Sequence, residues 1–199
     1  MKALIVVDVQ NDFCPGGSLA VSDGGQVVPF INAVRGGFPL TVFTQDWHPK
    51  GHQSFASSHP GAKVGEMIKV GGVDQVMWPD HCVQHTEGAE FHPDLDRRPG
   101  DRVFHKGELE AVDSYSGFLD HDREHETGLR EFLQRQGAGE VYVTGLATDY
   151  CVKFTVLDAL KFGLRVSVYQ RGCRAVNLQP GDESRAYAEM EAAGAVLLP

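Results

Sequence analysis

Short, continuous apolar runs rich in β-branched residues recur along the chain and constrain its fold more than any other feature. They cover residues 3–9, 40–46, 102–106, 140–146, 165–169 and 195–199. Continuous rather than alternating apolar runs are typical of strands that are covered on both faces. The sequence therefore predicts a sheet of about six mostly parallel strands.

Helix-like segments separate several of these runs. Apolar residues recur at steps of three and four in 125–136, 149–162 and 183–193, and a glycine, a common helix terminator, follows each segment. A weaker segment spans 25–35. The repeated order of strand, helix and strand predicts right-handed crossovers and a three-layer α/β/α fold.

Length and composition predict one domain over residues 1–199, with a long irregular region at about 46–100. A chain of 199 residues with 42% hydrophobic residues is long enough for one sizeable core and short for two. The irregular region is rich in Gly, Pro, His and Asp and shows no regular periodicity beyond a short turn of helix. Structureless loops of this length are usually functional.

Charge and hydropathy argue against nucleic acid and membranes as partners. The formal net charge is -9, no dense Lys/Arg run occurs, and no apolar stretch approaches the roughly 18 residues of a membrane span. The first apolar run stops at Asp8, too early for a signal peptide. Four widely spaced cysteines without a CxxC pair indicate reduced thiols, so we expect a cytoplasmic protein.

Polar residues stand at the ends of four predicted strands, on the edge where parallel sheets bind ligands. Asp8 ends the first strand, Asp46 the second and Lys106 the third, and Cys151 follows the fourth. Each has an ordinary alternative, because Asp8 could cap a turn, Lys106 could be a solvated charge and a cysteine is usually inert core. Their convergence favours a site in which Lys106 or the Cys151 thiol is the partner of Asp8.

The predicted position of Cys151 makes its thiol a candidate nucleophile. If Thr148 or Asp149 is the N-cap, Cys151 lies in the first helical turn, where free N–H groups and the helix dipole favour the thiolate. The same N–H groups can receive an oxyanion. A nucleophile and an oxyanion hole in one turn suit acyl transfer.

A cluster of metal-ligand residue types begins where the second strand ends. Asp46, His48 and His52 lie in DWHPKGH, and His81 lies in WPDHC. Three imidazoles and one carboxylate suit zinc, iron or manganese and leave coordination positions open for water or substrate. The alternative is a polar surface loop, because nine histidines in 199 residues make some clustering accidental.

Five blocks of the sequence resemble nicotinamidases, also known as pyrazinamidases, of the isochorismatase-like cysteine hydrolase superfamily. The blocks are IVVDVQNDFCPGGSLAV, DWHPKGHQSFAS, WPDHCVQHTEGAEFHP, HKGELEAVDSYSGF and GLATDYCVKFTVLDAL, in order from residue 5 to residue 160. A D-x-Q motif with a later cysteine would identify only the superfamily. The aspartate, histidine and WPxHC blocks make the resemblance to nicotinamidases more specific.

The resemblance implies the isochorismatase-like hydrolase fold and a reaction with its residues. It implies a catalytic triad of Asp8, Lys106 and Cys151, a cis peptide between Leu146 and Ala147, and an oxyanion hole at the N–H groups of Ala147 and Cys151. The implied reaction is hydrolysis of nicotinamide to nicotinate and ammonia through a thioester, with pyrazinamide as a further substrate.

The resemblance also implies the ligands of one divalent metal ion and the residues that bind the substrate ring. The metal ligands would be Asp46, His48, His52 and His81, and the substrate-binding residues would be Phe13, Trp78, Tyr115 and Ala147. The loop between His48 and His52 is shorter than in some relatives, and Cys82 beside His81 is interpreted as structural.

Two other functions stay open at this point. One is a related amidase, or a hydrolase that attacks another small amide directly with metal-bound hydroxide. The other is a metal-binding or redox-sensing α/β protein without turnover. The sequence does not fix the identity of the metal or the formation of a homo-oligomer.

Overall fold

The computed structural model describes residues 1–199 and contains a six-stranded parallel sheet and a separate two-stranded one. The strands are β1 (Lys2–Val7), β2 (Leu40–Asp46), β3 (Met67–Val70), β4 (Val73–Val76), β5 (Arg102–Lys106), β6 (Glu140–Leu146), β7 (Arg165–Arg174) and β8 (Val196–Leu198). The large sheet has the order β5-β2-β1-β6-β7-β8, and every pairing in it is parallel. The predicted parallel sheet is confirmed.

Helices cover both faces of this sheet. They are α1 (Val27–Val34), α2 (Leu129–Arg135), α3 (Lys153–Lys161) and α4 (Asp182–Ala192), and a π-helical segment, Thr148–Val152, leads directly into α3. Single 3-10 turns occupy Asn11–Phe13, Gly24–Gln26, Arg35–Gly37, Ala56–Ser58 and Glu87–Ala89. No helix is both long enough and apolar enough to cross a membrane.

The buried strand β1 shows why the apolar runs are continuous. Ala3, Ile5 and Val7 pack into the core that contains residues of α2, α3 and α4. Leu4 and Val6 point to the opposite face and pack with residues of α1. Since successive side chains of a strand alternate between faces, a strand buried on both sides must be apolar throughout. The predicted three-layer α/β/α fold follows.

The structure differs from the prediction in three places, two of which are element boundaries. The predicted helix 125–136 begins only at Leu129, because Glu126 is bridged to Leu119 and the Thr127 N–H donates to the Phe118 carbonyl. Strand β7 runs five residues beyond the predicted 165–169, because its pairing with β6 resumes after an irregularity.

The third difference is a β-hairpin inside the region predicted to be irregular. Strands β3 and β4 pair antiparallel, with Val70 opposite Val73. Gly71 and Gly72 form the connection, and both have positive φ, 57° and 88°. A two-residue turn with positive φ at both positions matches the right-handed twist of a hairpin, and Gly-Gly is one of its sequence signals.

The order of the strands creates a topological switch point between β1 and β6. From β1 the chain crosses to β2 on one side, and from β6 it crosses to β7 on the other. The crevice outside the carboxyl ends of two such strands is the usual ligand site of an open parallel sheet. Asp8 directly follows β1, and Ala147 directly follows β6.

Candidate active site

The carboxyl ends of β1, β2, β5 and β6 bring the predicted polar residues together. The register of β2 and β5 places Asp46 opposite Lys106, and the Lys106 Nζ lies 2.7 Å from the Asp46 Oδ1. The same Nζ lies 3.0 Å from the Asp8 Oδ2 and 3.4 Å from the Cys151 Sγ. All four side chains are buried. Two carboxylates and a thiol therefore share one ammonium group.

Hydrogen bonds leave one oxygen of Asp8 free to accept a proton. The Asp8 Oδ1 accepts from the Thr44 hydroxyl at 2.6 Å. The three protons of the Lys106 ammonium are directed to Asp46, to the Ser114 carbonyl at 2.8 Å and to the Cys151 sulfur. The Asp8 Oδ2 is close to the ammonium charge but lacks a well-aligned hydrogen bond. A buried carboxylate oxygen of this kind is a competent proton acceptor.

Burial and neighbouring charges act in opposite directions on the pKa values of Asp8, Asp46 and Lys106. Burial raises the pKa of Asp8, and the Lys106 charge offsets only part of that rise. Burial would also raise the pKa of Asp46, but the charges of His48 and Lys106 outweigh burial and hold it well below its usual value. Burial lowers the pKa of Lys106, yet Asp46 and Asp8 outweigh this and raise it well above its usual value. The ammonium is therefore charged at neutral pH.

Cys151 does not have the helix start that the sequence predicts. Neither Thr148 nor Asp149 is the N-cap, because the π-helical segment begins after Ala147 and no side chain caps it. Burial raises the pKa of the Cys151 thiol well above its usual value, and the nearby Lys106 counteracts this only in part. Burial thus opposes the thiolate that this position was expected to favour, and the thiol needs a base before it can attack.

The Asp149 carboxylate connects this segment to the loop that follows β7. It accepts the N–H groups of Val176 at 2.9 Å and Asn177 at 2.8 Å. The carboxylate that was a candidate helix cap thus holds a neighbouring loop, and Val176 of that loop lines the cavity beside Cys151.

The backbone before Cys151 offers a free hydrogen-bond donor. The peptide between Leu146 and Ala147 is cis, as the family resemblance implies. The Ala147 carbonyl accepts from the N–H groups of Tyr150 and Val152, whereas the Ala147 N–H has no acceptor within the protein. Ala147 is buried and lines the same cavity as Cys151. A free N–H at the wall of a closed cavity can stabilise an oxyanion.

Asp46, His48 and His81 form a buried group whose ligand atoms lie within 4.8 Å of one another. The Asp46 Oδ2 is 3.2 Å from the His48 Nε2 and 3.5 Å from the His81 Nε2. The Nδ1 atoms of the two histidines lie 3.0 Å from the Gly107 carbonyl and 2.8 Å from the Pro79 carbonyl. A histidine that donates from Nδ1 to a carbonyl presents a free Nε2, which is the usual arrangement at metal sites.

Glycine at position 107 is required for this arrangement. Gly107 has a φ of 66°, and a Cβ built on it would lie 2.4 Å from the His48 Cε1. The close approach of the backbone therefore fixes the His48 ring against its carbonyl partner. The donor types and their orientation fit a divalent metal ion at Asp46, His48 and His81.

His52 lies in a second group that shares His48. The structure places ligand atoms of His48, His52 and Asp113 within 4.8 Å of one another. The His52 Nδ1 lies 2.7 Å from the Ser54 hydroxyl, and its Nε2 lies 3.2 Å from the Val112 carbonyl. Burial lowers the pKa of His52 to about 4, so its ring is neutral at pH 7. His52 therefore lies next to the group of Asp46, His48 and His81 but is not one of its three members.

Phe13, Trp78 and Tyr115 line the cavity that contains Cys151 and Ala147, as the resemblance implies. The Trp78 Nε1 donates to the Tyr115 hydroxyl at 3.0 Å, so these two rings are fixed to each other. The cavity also has Leu19, Tyr150, Val176 and Asp113 in its wall, which the sequence analysis did not select. Tyr150 directly precedes Cys151, and Asp113 lies in the block HKGELEAVDSYSGF. Their positions within the family motifs could therefore have identified both as residues of the site.

The largest groove of the molecule lies elsewhere. It has a volume of about 930 Å³, is widely open, and is lined by residues of α1, β7 and α4. None of the predicted site residues borders it. The chemistry-bearing residues instead surround the small apolar cavity at the switch point, the kind of place where such folds bind small molecules.

Comparisons with known proteins identify the family of this chain. The isochorismatase domain model matches residues 2–199. The nicotinamidase of Escherichia coli is 50% identical over 98% of this chain and 93% of its own length. A nicotinamidase/pyrazinamidase structure from an Acinetobacter species has a TM-score of 0.96 and 45% identity, covering 99% of this chain and 95% of that one. The pyrazinamidase of Pyrococcus horikoshii, solved in complex with zinc, has a TM-score of 0.81 and 37% identity, covering 99% and 98%. The chain belongs to the isochorismatase family and, within it, to the nicotinamidases.

Proposed function

We propose that this protein hydrolyses nicotinamide to nicotinate and ammonia through a thioester on Cys151. The observation that carries the proposal is the contact of one buried ammonium, Lys106, with Asp8, Asp46 and the Cys151 sulfur. The full-length similarity to nicotinamidases supports the choice of substrate. Pyrazinamide is a further substrate in this proposal, because a solved relative at 45% identity is described as a nicotinamidase and pyrazinamidase.

In the first step, Asp8 takes the proton of the Cys151 thiol as the sulfur attacks the carboxamide carbon. The geometry supports Asp8 as the base, because its Oδ2 lacks a well-aligned hydrogen bond and the thiol is neutral at rest. Negative charge develops on the amide oxygen, which the N–H groups of Ala147 and Cys151 receive. When the C–N bond breaks, Asp8 returns the proton to the nitrogen, ammonia leaves and the thioester remains.

In the second step, water hydrolyses the thioester. Asp8 accepts one proton of the water as its oxygen attacks the carbonyl carbon. The C–S bond then breaks, Asp8 passes its proton to the Cys151 sulfur, and the product leaves as nicotinic acid, whose second water-derived proton goes to the released ammonia to give nicotinate and ammonium. Asp8 thus acts as base and acid in turn, and its raised pKa suits this exchange near neutral pH.

Lys106 stabilises the charged forms of the two groups that exchange the proton, Asp8 and Cys151. Its charge offsets part of the burial that raises the pKa of Asp8, and it also counteracts the raised pKa of Cys151. Without this charge, Asp8 would hold its proton more tightly and the thiolate would be less stable. Lys106 itself stays protonated throughout, because the pKa of its ammonium is raised well above its usual value.

We assign Asp46, His48 and His81 as the residues that hold one divalent metal ion, with zinc, iron and manganese all compatible with the donors. When bound, such an ion supplies a Lewis acid that can fix the pyridine nitrogen and so orient the ring. The ligand role of His52 stays a prediction. The aromatic wall of Phe13, Trp78 and Tyr115 would hold the two faces of the ring. The cytoplasmic location stays a prediction as well.

The test combines turnover, acyl-enzyme trapping and metal content. We expect the wild-type protein to release ammonia from nicotinamide, and mass spectrometry of quenched reactions to show a nicotinoyl adduct on Cys151. Cys151→Ala should abolish turnover and retain the metal, whereas His48→Ala should lose both. If Cys151→Ala releases ammonia at nearly the wild-type rate, the covalent route is wrong and direct attack by a metal-activated water explains the reaction.

A further inference from the structure

The cavity beside Cys151 is small, and a second cavity lies directly behind part of its wall. The first, which we call the catalytic cavity, has a volume of about 20 Å³, close to the space that one water molecule needs. The second, which we call the vestibule, has a volume of about 290 Å³. Only Tyr115 and Tyr150 line both cavities. These two rings therefore form the partition between them.

The two rings of this partition are held very differently. The Tyr115 hydroxyl accepts from the Trp78 Nε1 at 3.0 Å and lies 3.3 Å from the Gln75 Nε2, and its ring is buried. No hydrogen bond acts on the Tyr150 hydroxyl, and the residue is half-buried. Tyr150 contacts the ring edges of Trp78 and Tyr115, with centroid distances of 4.9 Å and 5.3 Å.

The catalytic cavity must widen before a pyridine carboxamide can enter it. A rotation of the Tyr115 ring would leave the buried Trp78 N–H unpaired, which is costly. A rotation of the Tyr150 ring breaks no hydrogen bond, and the vestibule offers the space to receive it. Rotamer changes of this size are common when ligands bind.

We propose that Tyr150 determines the upper size limit of the substrate ring, and that the vestibule is a subsite for substituents on larger aromatic amides when the Tyr150 ring is absent. This inference rests on the proposed amidase function. The relevant position is carbon 5 of nicotinamide, the one carbon next to neither the ring nitrogen nor the carbon that carries the carboxamide. A substituent at carbon 5 is therefore remote from both the ring nitrogen and the carboxamide.

The charged residues that line the vestibule indicate which kind of ring substituent it can accept. Its lining includes the carboxylates of Asp74, Asp182 and Glu189, together with the cations Lys153 and Arg185. Lys153 pairs with Glu189 and Arg185 pairs with Asp182, so both cations already have carboxylate partners, and the carboxylates of the lining, which also include Asp149, outnumber them. Neutral apolar substituents, such as a short alkyl chain against Phe154 and Val76, fit this lining better than carboxylates do.

The test compares kcat/KM for nicotinamide and for 5-propylnicotinamide, measured by ammonia release, in wild type, Tyr150→Ala and Tyr150→Phe. We expect Tyr150→Ala to raise the ratio of the propyl substrate to nicotinamide by about tenfold or more, the discrimination typical of added methylenes in an apolar pocket. Tyr150→Phe keeps the ring and should keep the wild-type ratio. An unchanged ratio in Tyr150→Ala, or the same gain in Tyr150→Phe, would overturn the assignment.

A binding measurement keeps the inference testable if Tyr150→Ala turns over neither amide. The midpoint of thermal unfolding with 5-propylnicotinate and with nicotinate reports binding without chemistry. Stabilisation by the propyl acid in Tyr150→Ala but not in wild type supports the subsite, and its absence in both refutes it. Failure of the proposed function itself gives a different result, since wild-type protein would then release no ammonia from nicotinamide.

Discussion

Replacing Lys106 by Met tests the electrostatic account of the site most directly. The ammonium is fully buried and lies 3.0 Å from Asp8 and 2.7 Å from Asp46. Met keeps a similar chain length and removes the charge. Asp46 keeps His48 as a neighbour at 3.2 Å, whereas Asp8 keeps only the Thr44 hydroxyl. We therefore expect Asp8 to carry most of the cost of this substitution.

The cost can be worked out from the proton that Asp8 must then bind. An ordinary aspartate has a pKa of about 3.9, so protonating it at pH 7 costs about 1.36 kcal/mol for each of roughly three pH units, or about 4 kcal/mol. The wild-type protein already bears part of this cost, because burial raises the pKa of its Asp8. We therefore expect a loss of about 3 kcal/mol at pH 7, at the low end for breaking a buried ion pair.

The loss should also depend on pH in a defined direction. In Lys106→Met the pKa of Asp8 is higher in the folded than in the unfolded state, so the folded state binds more protons between the two values. Stability that depends on this proton is present at low pH and is lost as pH rises. Relative to wild type, the variant should recover up to about 1.4 kcal/mol for each pH unit from 7 down to 5.

Urea unfolding of the chelator-treated proteins at pH 5, 6 and 7 measures both effects. Chelation is needed because a divalent ion beside Asp46 would alter the charge balance. The control is Lys106→Met combined with Asp8→Asn, in which the side chain at position 8 can no longer ionise, so the part of the pH dependence that comes from Asp8 should disappear. A loss below about 1 kcal/mol, or one that does not change with pH, would refute the reasoning.

Three further predictions follow from the same geometry. Asp8→Asn should slow turnover of nicotinamide by about 10²–10⁴-fold and should also slow alkylation of Cys151 by iodoacetamide at neutral pH, because the buried neutral thiol then lacks the base that takes its proton; alkylation at the wild-type rate would contradict this. His81→Ala should lose its divalent ion on dialysis, as measured by elemental analysis, and His52→Ala should lose it as well if His52 is the predicted fourth ligand; retention of the ion in His52→Ala would contradict that role. Asp149→Ala should lower the free energy of unfolding by about 1–3 kcal/mol and raise KM, because two N–H groups of the loop after β7 lose their acceptor; an unchanged KM would count against a role for that loop in binding.

Much of the fold is predictable from the sequence because the sheet is covered on both faces. Strands such as β1 and β6 contain nearly continuous apolar runs, so their positions can be predicted from residue types alone. The β3–β4 hairpin is not predicted, because its strands have only four residues each and apolar residues, Met67 and Val73, occupy exposed positions in them. Periodicity over so few residues cannot separate a hairpin from a loop.

The residue types of the site are also predictable, whereas their protonation is not. Asp8, Lys106 and Cys151 stand where the strand ends predict them. The charge state of Cys151 depends on how deeply the thiol is buried and on how much of the Lys106 charge reaches it, and neither is encoded in local sequence. A helix start with free N–H groups favours a thiolate, whereas burial raises the pKa of the Cys151 thiol and outweighs the charge of Lys106.

The order of the strands explains why a lysine occupies position 106. Lys106 ends β5, Asp46 ends β2 and Asp8 follows β1, so the two outer residues are separated by the width of two strand spacings, about 10 Å between backbones. Histidine is too short to span this distance, whereas the four-carbon chain of lysine reaches past Asp46 to Asp8 and Cys151. One ammonium therefore holds a proposed metal ligand and the proposed base together. A change in the charge of Asp46 therefore changes how strongly the Lys106 ammonium stabilises the charged form of Asp8. In this way the metal site and the thiol chemistry are electrostatically coupled.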